Sequence, residues 1–124
     1  MADHKDESVG DLALSISMIY TILVNLCGKL PVPIGLPIDQ EVPGPATTPA
    51  IQRVAEVAED QPMGDTQVEQ LYLGCIYLLA AIDLYEICTV RFTMTRVEGA
   101  AANLLLAEGE LNTLTLWLAV NEAD

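Results

Sequence analysis

The sequence predicts an all-α fold, a helical bundle of three long helices and one short helix with a proline-rich crossover, completed by oligomerisation. Apolar residues recur at helical spacing through three long stretches. Proline is concentrated in one segment after the first of them, and no two segments alternate in the manner of paired strands. The oligomer follows from size. A chain of 124 residues has little interior for its surface, yet 52% of its residues are apolar and its mean hydropathy is +0.37. The surplus is left on the outside, where apolar patches mark interfaces.

The first helix is expected over Val9–Leu30, behind a disordered acidic N-terminus, residues 1–8. Ser8 to Asp11 resembles a capping arrangement, and Lys29 lies in the last turn, where a cation suits the helix dipole. Leu12, Ile16, Ile19, Leu23, Leu26 and Leu30 form one apolar stripe, which Leu14, Met18 and Ile22 widen. Only Ser17, Thr21, Asn25 and Gly28 remain as a narrow polar or small strip, so this helix needs contact on more than one side.

Residues 31–49 form the crossover, holding six of the seven prolines and too few amide donors for a helix. Val32, Ile34, Leu36 and Ile38 are interleaved with the prolines, so Pro31–Ile38 is expected to lie along the helical body and Glu41–Thr47 to be mobile. The short helix starts at Thr48-Pro49, which fits an N-cap followed by the first helical position. Its apolar face is Ile51, Val54, Ala55 and Ala58, and Gln61 to Gly64 breaks it.

The second long helix opens on Thr66-Gln-Val-Glu69, a capping-box pattern, and is expected to reach about Arg96. Leu71–Ile82 is apolar on every side and should be central. Residues 88–97 also permit an extended reading, through Val90, Phe92 and Met94, but offer no second strand to pair with. Gly99 is the expected break before the third long helix, Ala100–Val120, with Leu104, Leu111, Leu114 and Leu118 as its core stripe. Residues 9–124 thus read as a single helical domain.

A net charge of −13, from 18 acids against five bases, argues against direct nucleic-acid binding and against an anionic membrane surface, both of which call for basic residues. It favours a partner with a basic surface. The charge-free runs, Leu12–Gly28 and Leu71–Ile82, are interrupted by polar residues or too short to span a bilayer, so no membrane partner is expected. The first eleven residues are acidic, the reverse of a secretory n-region. Cys27, Cys75 and Cys88 read as small buried hydrophobes in a reducing compartment, which points to the cytoplasm.

Candidate chemistry is sparse. His4 stands alone near the N-terminus, and neither a phosphate-binding glycine loop nor a nucleophile–histidine arrangement occurs. Asp83 and Glu86 share a helical face within an apolar helix and are the candidate metal pair. Read structurally, they face solvent or pair with Arg91 or Arg96 across an interface. Glu56 and Glu59 form a second acidic pair upstream. In these four acids alone the chain resembles the acidic sites of all-helical nucleotide pyrophosphatases, which implies a metal-dependent hydrolase; the surrounding residues do not follow that pattern. Tyr72, Tyr77 and Tyr85, with Asp83 and Glu86, are the candidate lining of a small-molecule pocket.

The expected function is a non-enzymatic protein-interaction module: an adaptor, assembly factor or inhibitor of another protein, of the kind phages and mobile elements encode. It is expected to act as a homo-oligomer, a dimer above all, through Leu14, Met18, Ile22, Leu116 and Trp117, with no cofactor. A small-molecule binder and a metal-dependent hydrolase are the alternatives.

Overall fold

The computed structural model describes residues 3–122 and is all-helical, with no strand among the described residues. Helix α1 spans Asp3–Cys27, α2 Thr47–Val57, α3 Asp65–Val90 and α4 Met94–Glu122; a 3₁₀ turn, Ala58–Asp60, extends α2.

The core is written at strict seven-residue spacing. On α1 the buried positions Leu12, Ile16, Ile19, Leu23 and Leu26 alternate steps of four and three, and Leu30 continues the pattern just past the helix. On α4 the series is Ala100, Leu104, Ala107, Leu111, Leu114 and Leu118. Such spacing keeps one seam facing its neighbour along the whole helix, as in left-handed knobs-into-holes packing. Helix α3 answers with Leu71, Gly74, Cys75, Leu78, Ala81 and Ile82.

Two glycines let α3 and α4 approach. A methyl group at Gly74 would collide with the Leu111 side chain, and one at Gly99 would meet Leu84 Cδ1 at 3.3 Å. Both pairs fit antiparallel helices meeting at the short turn between them. That turn is Arg91–Thr93, not the expected break at Gly99, and α3 stops at Val90 instead of Arg96. The β-branched and alternating residues after Cys88 are the signature of this turn rather than of a strand. Thr93 opens α4, its Oγ1 accepting the Arg96 amide at 3.2 Å, while Arg96 Nη1 donates to the Arg91 carbonyl at 2.9 Å.

Other boundaries move as well. Helix α1 begins at Asp3, taking in most of the segment expected to be disordered, and ends at Cys27, which leaves Lys29 outside it. Helix α2 begins at Thr47, so Pro49 sits in its first turn, where the missing N–H has no intrahelical partner to lose. Helix α3 is capped by Gly64 and begins at Asp65, with no side-chain capping bond from Thr66.

The crossover is tied down. Gln61 is buried, and its side-chain amide makes two bonds with one residue: Oε1 accepts the Val32 N–H at 3.0 Å, and Nε2 donates to the Val32 carbonyl at 2.7 Å. The Ile34 amide donates to the Cys27 carbonyl at 3.0 Å, Arg53 Nη2 to the Gly35 carbonyl at 3.3 Å and the Tyr20 hydroxyl to the Pro37 carbonyl at 2.8 Å. Prolines cannot donate, so their carbonyls and neighbouring amides find side-chain partners. The segment expected to be mobile also packs, with Val42 against the core and Thr47 buried, its Oγ1 accepting the Gly44 amide at 2.9 Å. The Gln61 tie sets the end of α1 beside the start of α3. Helix α1 therefore runs antiparallel to α3 and parallel to α4.

By length and composition two helices are apolar enough to cross a membrane, over Lys5–Cys27 and Asp65–Val90. The second is longer than the charge-free run Leu71–Ile82, because the helix continues through isolated acids. Both contribute core residues to the bundle.

Replacing Gln61 with Ala leaves the Val32 amide and carbonyl without their partner and should cost about 1–3 kcal/mol. Chemical denaturation measures the loss, and limited proteolysis should show new cleavage within residues 31–38. Gly74→Val should destabilise by a similar amount, about 1–3 kcal/mol, through collision with Leu111.

Candidate functional site

Asp83 and Glu86 lie on the outer side of α3 near its end, and both are exposed. They border a shallow, open depression together with Ile87, Val90 and Arg91. The apolar helix that carries them therefore does not enclose them. Arg91, the residue that caps the end of α3, lines the same depression, so a cation is supplied within the chain. Among the described residues, no three His, Cys, Asp or Glu side chains converge as a metal site.

The tyrosines do not gather with this pair. Tyr72 is exposed and lies three helical turns before Asp83, about 16 Å along the axis, in a groove between α2 and the start of α3. Tyr77 and Tyr85 are half-buried and pack against the core. The groove at Tyr72 is bordered by Glu56, Glu59, Asp65 and Glu69, with Ala55, Ala58 and Val68 as its apolar surface. Glu56 and Glu59 thus meet Asp65 and Glu69, and not Asp83 and Glu86.

Of the five residues expected at an interface, Leu14, Met18 and Leu116 are exposed by 64%, 61% and 69%. Ile22 and Trp117 are half-buried and pack against the chain's own core.

The exposed leucines belong to a larger pattern. On α4 the residues two positions beyond the core series are Ala102, Leu106, Gly109, Thr113, Leu116 and Val120. An offset of two residues turns about 200° around a helix, onto the opposite side. All six are exposed and none is charged. They repeat the same steps of four and three as the buried seam. Helix α4 therefore carries two parallel heptad seams, one filled by α1 and α3 and one facing outward. Gly109 sits midway along the outer seam, and a side chain there would meet nothing within 4 Å. Glycine inside a helix costs about 1 kcal/mol against alanine, and packing within the chain does not require this one. Of the outer seam, Leu116 alone was anticipated from sequence. The signal was available as a second seven-residue repeat, hidden by the stronger inner one.

A second feature lies beside it. Helices α1 and α4 leave a groove of about 380 Å³, floored by Leu12, Ile19 and Leu104, with Met18 and Leu105 on its lips. Ser15 and Ala101 keep it open because neither side chain is long enough to fill it. Asp11 and Glu108 stand at its edge, and no Lys or Arg lines it.

The three thiols are free and buried. Burial pushes Cys27 up to about 12. Cys75 is also pushed up, by burial first and by the neighbouring Cys27 second. Tyr20 is raised for the same leading reason, its hydroxyl being enclosed beneath the crossover. These groups are held neutral, the opposite of what a thiolate nucleophile needs.

The chain has no match among known protein families, curated proteins or solved structures.

Unfolded thiols ionise near the ordinary value of about 8.5. The folded state keeps its protons longer, so the stability gained by burying neutral thiols is complete below that pH. It falls as pH rises from about 8.5 toward about 12. The unfolding midpoint should drop across this window, and Cys27→Val should make the drop shallower. A thiol reagent at pH 8 should label none of the three cysteines until denaturant is added.

Proposed function

We propose that the protein is a non-enzymatic helical interaction module of the cytoplasm that works as a homo-oligomer, with the outer seam of α4 as its self-association surface. The observation that carries this reading is the series Ala102, Leu106, Gly109, Thr113, Leu116 and Val120, exposed and uncharged at heptad spacing. A seven-residue apolar repeat on the solvent side of a helix serves no purpose within the chain, but it is what a second helix packs against.

Charge supports a second copy at this place. Two chains of net charge −13 repel, so they associate where neither presents a carboxylate. Between Gly99 and Asn121 the only charged residues of α4 are Glu108 and Glu110, beside Gly109. A parallel pair would set Glu108 and Glu110 against their own copies. An antiparallel pair that crosses at Thr113 staggers them, setting Glu108 and Glu110 level with Leu118 and Leu116 of the second copy. The cytoplasmic reading rests on three free thiols, which persist where disulfides are kept reduced. The acidic exterior left by such a dimer suits a partner of basic character, in keeping with an adaptor, assembly factor or inhibitor.

Light scattering coupled to size exclusion should return a dimer mass for the wild-type chain and a monomer mass for Leu116→Glu. The weakening expected from one buried carboxylate at the seam is roughly a hundredfold in dissociation constant or more. A wild-type chain that stays monomeric at high micromolar concentration would remove the proposal.

A further inference from the structure

The groove between α1 and α4 differs from the outer seam in shape and in electrostatics. It is a trough rather than a ridge, running along α1 from Ser8 to Ile19. That length is about 16 Å at 1.5 Å per residue, or three helical turns. Its floor is apolar, and its lips, Met18 and Leu105, are both more than half exposed. Methionine is flexible and polarizable and adapts to the side chains of an incoming helix. Ser15 and Ala101 are small enough to leave room for side chains to enter from outside. The rim is acidic, with Asp11 on α1 and Glu108 on α4, and Asp6 and Glu7 are exposed on the turns of α1 just before it.

We propose that this groove docks one amphipathic helix of a partner protein, about three turns long, with Lys or Arg flanking its apolar stripe. The occupant is chosen by charge. An apolar trough edged by carboxylates, on a chain of net charge −13, complements a helix whose apolar anchors are bordered by cations. A second copy of this chain is a poor occupant. Its five basic residues are Lys5, Lys29, Arg53, Arg91 and Arg96, spread singly or in one pair at the α3–α4 turn, so none of its helices presents an apolar stripe with a basic border. An anionic lipid surface would be repelled by the same rim. The trough is open along one side and its floor is mostly apolar, which suits a helix better than an enclosed ligand. This binding is separate from self-association on α4, since each chain carries its own groove.

The test uses the full chain and a synthetic peptide of about four turns, long enough to fill the groove. The peptide carries leucines at i, i+4 and i+7 with lysines on either side; a second peptide has every lysine replaced by glutamate. Fluorescence anisotropy should show the lysine peptide binding, with affinity falling several-fold as salt rises to ~0.5 M, and the glutamate peptide not binding. Ser15→Trp plugs the groove from α1 and should weaken binding roughly tenfold or more. Asp11→Lys, an exposed change that leaves the floor intact, should weaken binding and flatten its salt dependence. Leu116→Glu should still bind, which separates this groove from the self-association seam. Equal binding of the two peptides, or binding indifferent to both Ser15→Trp and Asp11→Lys, would overturn the proposal. So would a groove closed by a second copy, seen as loss of the dimer in Ser15→Trp with no peptide binding in the wild type. Adsorption of the chain to zwitterionic vesicles that Ser15→Trp abolishes would assign the groove to a membrane instead, and overturn it equally.

Discussion

The close approach of α3 and α4 at Gly74 and Leu111 governs the orientation of everything outside it. Gly74 leaves the space that the Leu111 side chain occupies, and Gly99 does the same for Leu84 at the turn end. Between these points Ala81, Ala100 and Ala107 are fully buried, so small residues line the seam where backbones approach. Once α4 is held in this rotation, its residues 100, 104, 107, 111, 114 and 118 point inward and those two positions further along point out. The exposed seam is therefore a direct consequence of the buried one. Helix α4 cannot rotate to hide Leu106, Leu116 and Val120 without withdrawing Leu111 from the gap at Gly74.

The crossover decides which flank of the bundle stays uncovered. Through Gln61, Tyr20, Arg53 and the Cys27 carbonyl it is fastened to α1, to α2 and to the turn that ends α2. The proline-rich chain is thereby spread over the side of α1 that faces α2. The other side of α1, toward α4, receives no such cover and is left as a groove. Because prolines withhold donors, the crossover depends on side-chain amides and hydroxyls to fix it, and one buried glutamine supplies both a donor and an acceptor to Val32.

Charge is arranged to agree with this division. Carboxylates collect on the early turns of α1, around the α2–α3 junction and on the outer end of α3, whereas α1 from Leu12 to Cys27 and α4 from Leu111 to Asn121 carry none. Uncharged surface permits self-contact between acidic chains, and the acidic rim of the α1–α4 groove favours a basic visitor. The occupants proposed for these adjoining surfaces differ accordingly in shape and charge. The acidic pairs that suggested metal chemistry are split between two grooves, because α2 meets only the first part of α3 and never reaches Asp83.

Helical class, the core stripes of α1 and α4 and the proline crossover were legible along the chain, since heptad spacing and missing amide donors are local properties. The same holds for the surplus of apolar surface. Helix ends were less legible. The α3–α4 turn falls at Arg91–Thr93, and Gly99, the more obvious breaker, stays inside α4, where a methyl group would press on Leu84 Cδ1. Tyr72, Tyr77, Tyr85, Asp83 and Glu86 are close along the chain, but the helix sets Tyr72 about 16 Å before Asp83 and turns Tyr77 and Tyr85 toward the core. Spacing alone also could not say which of two heptad seams on α4 would be covered. Both repeat every seven residues, and only the fit of Leu111 against Gly74 selects the inner one, leaving its counterpart exposed.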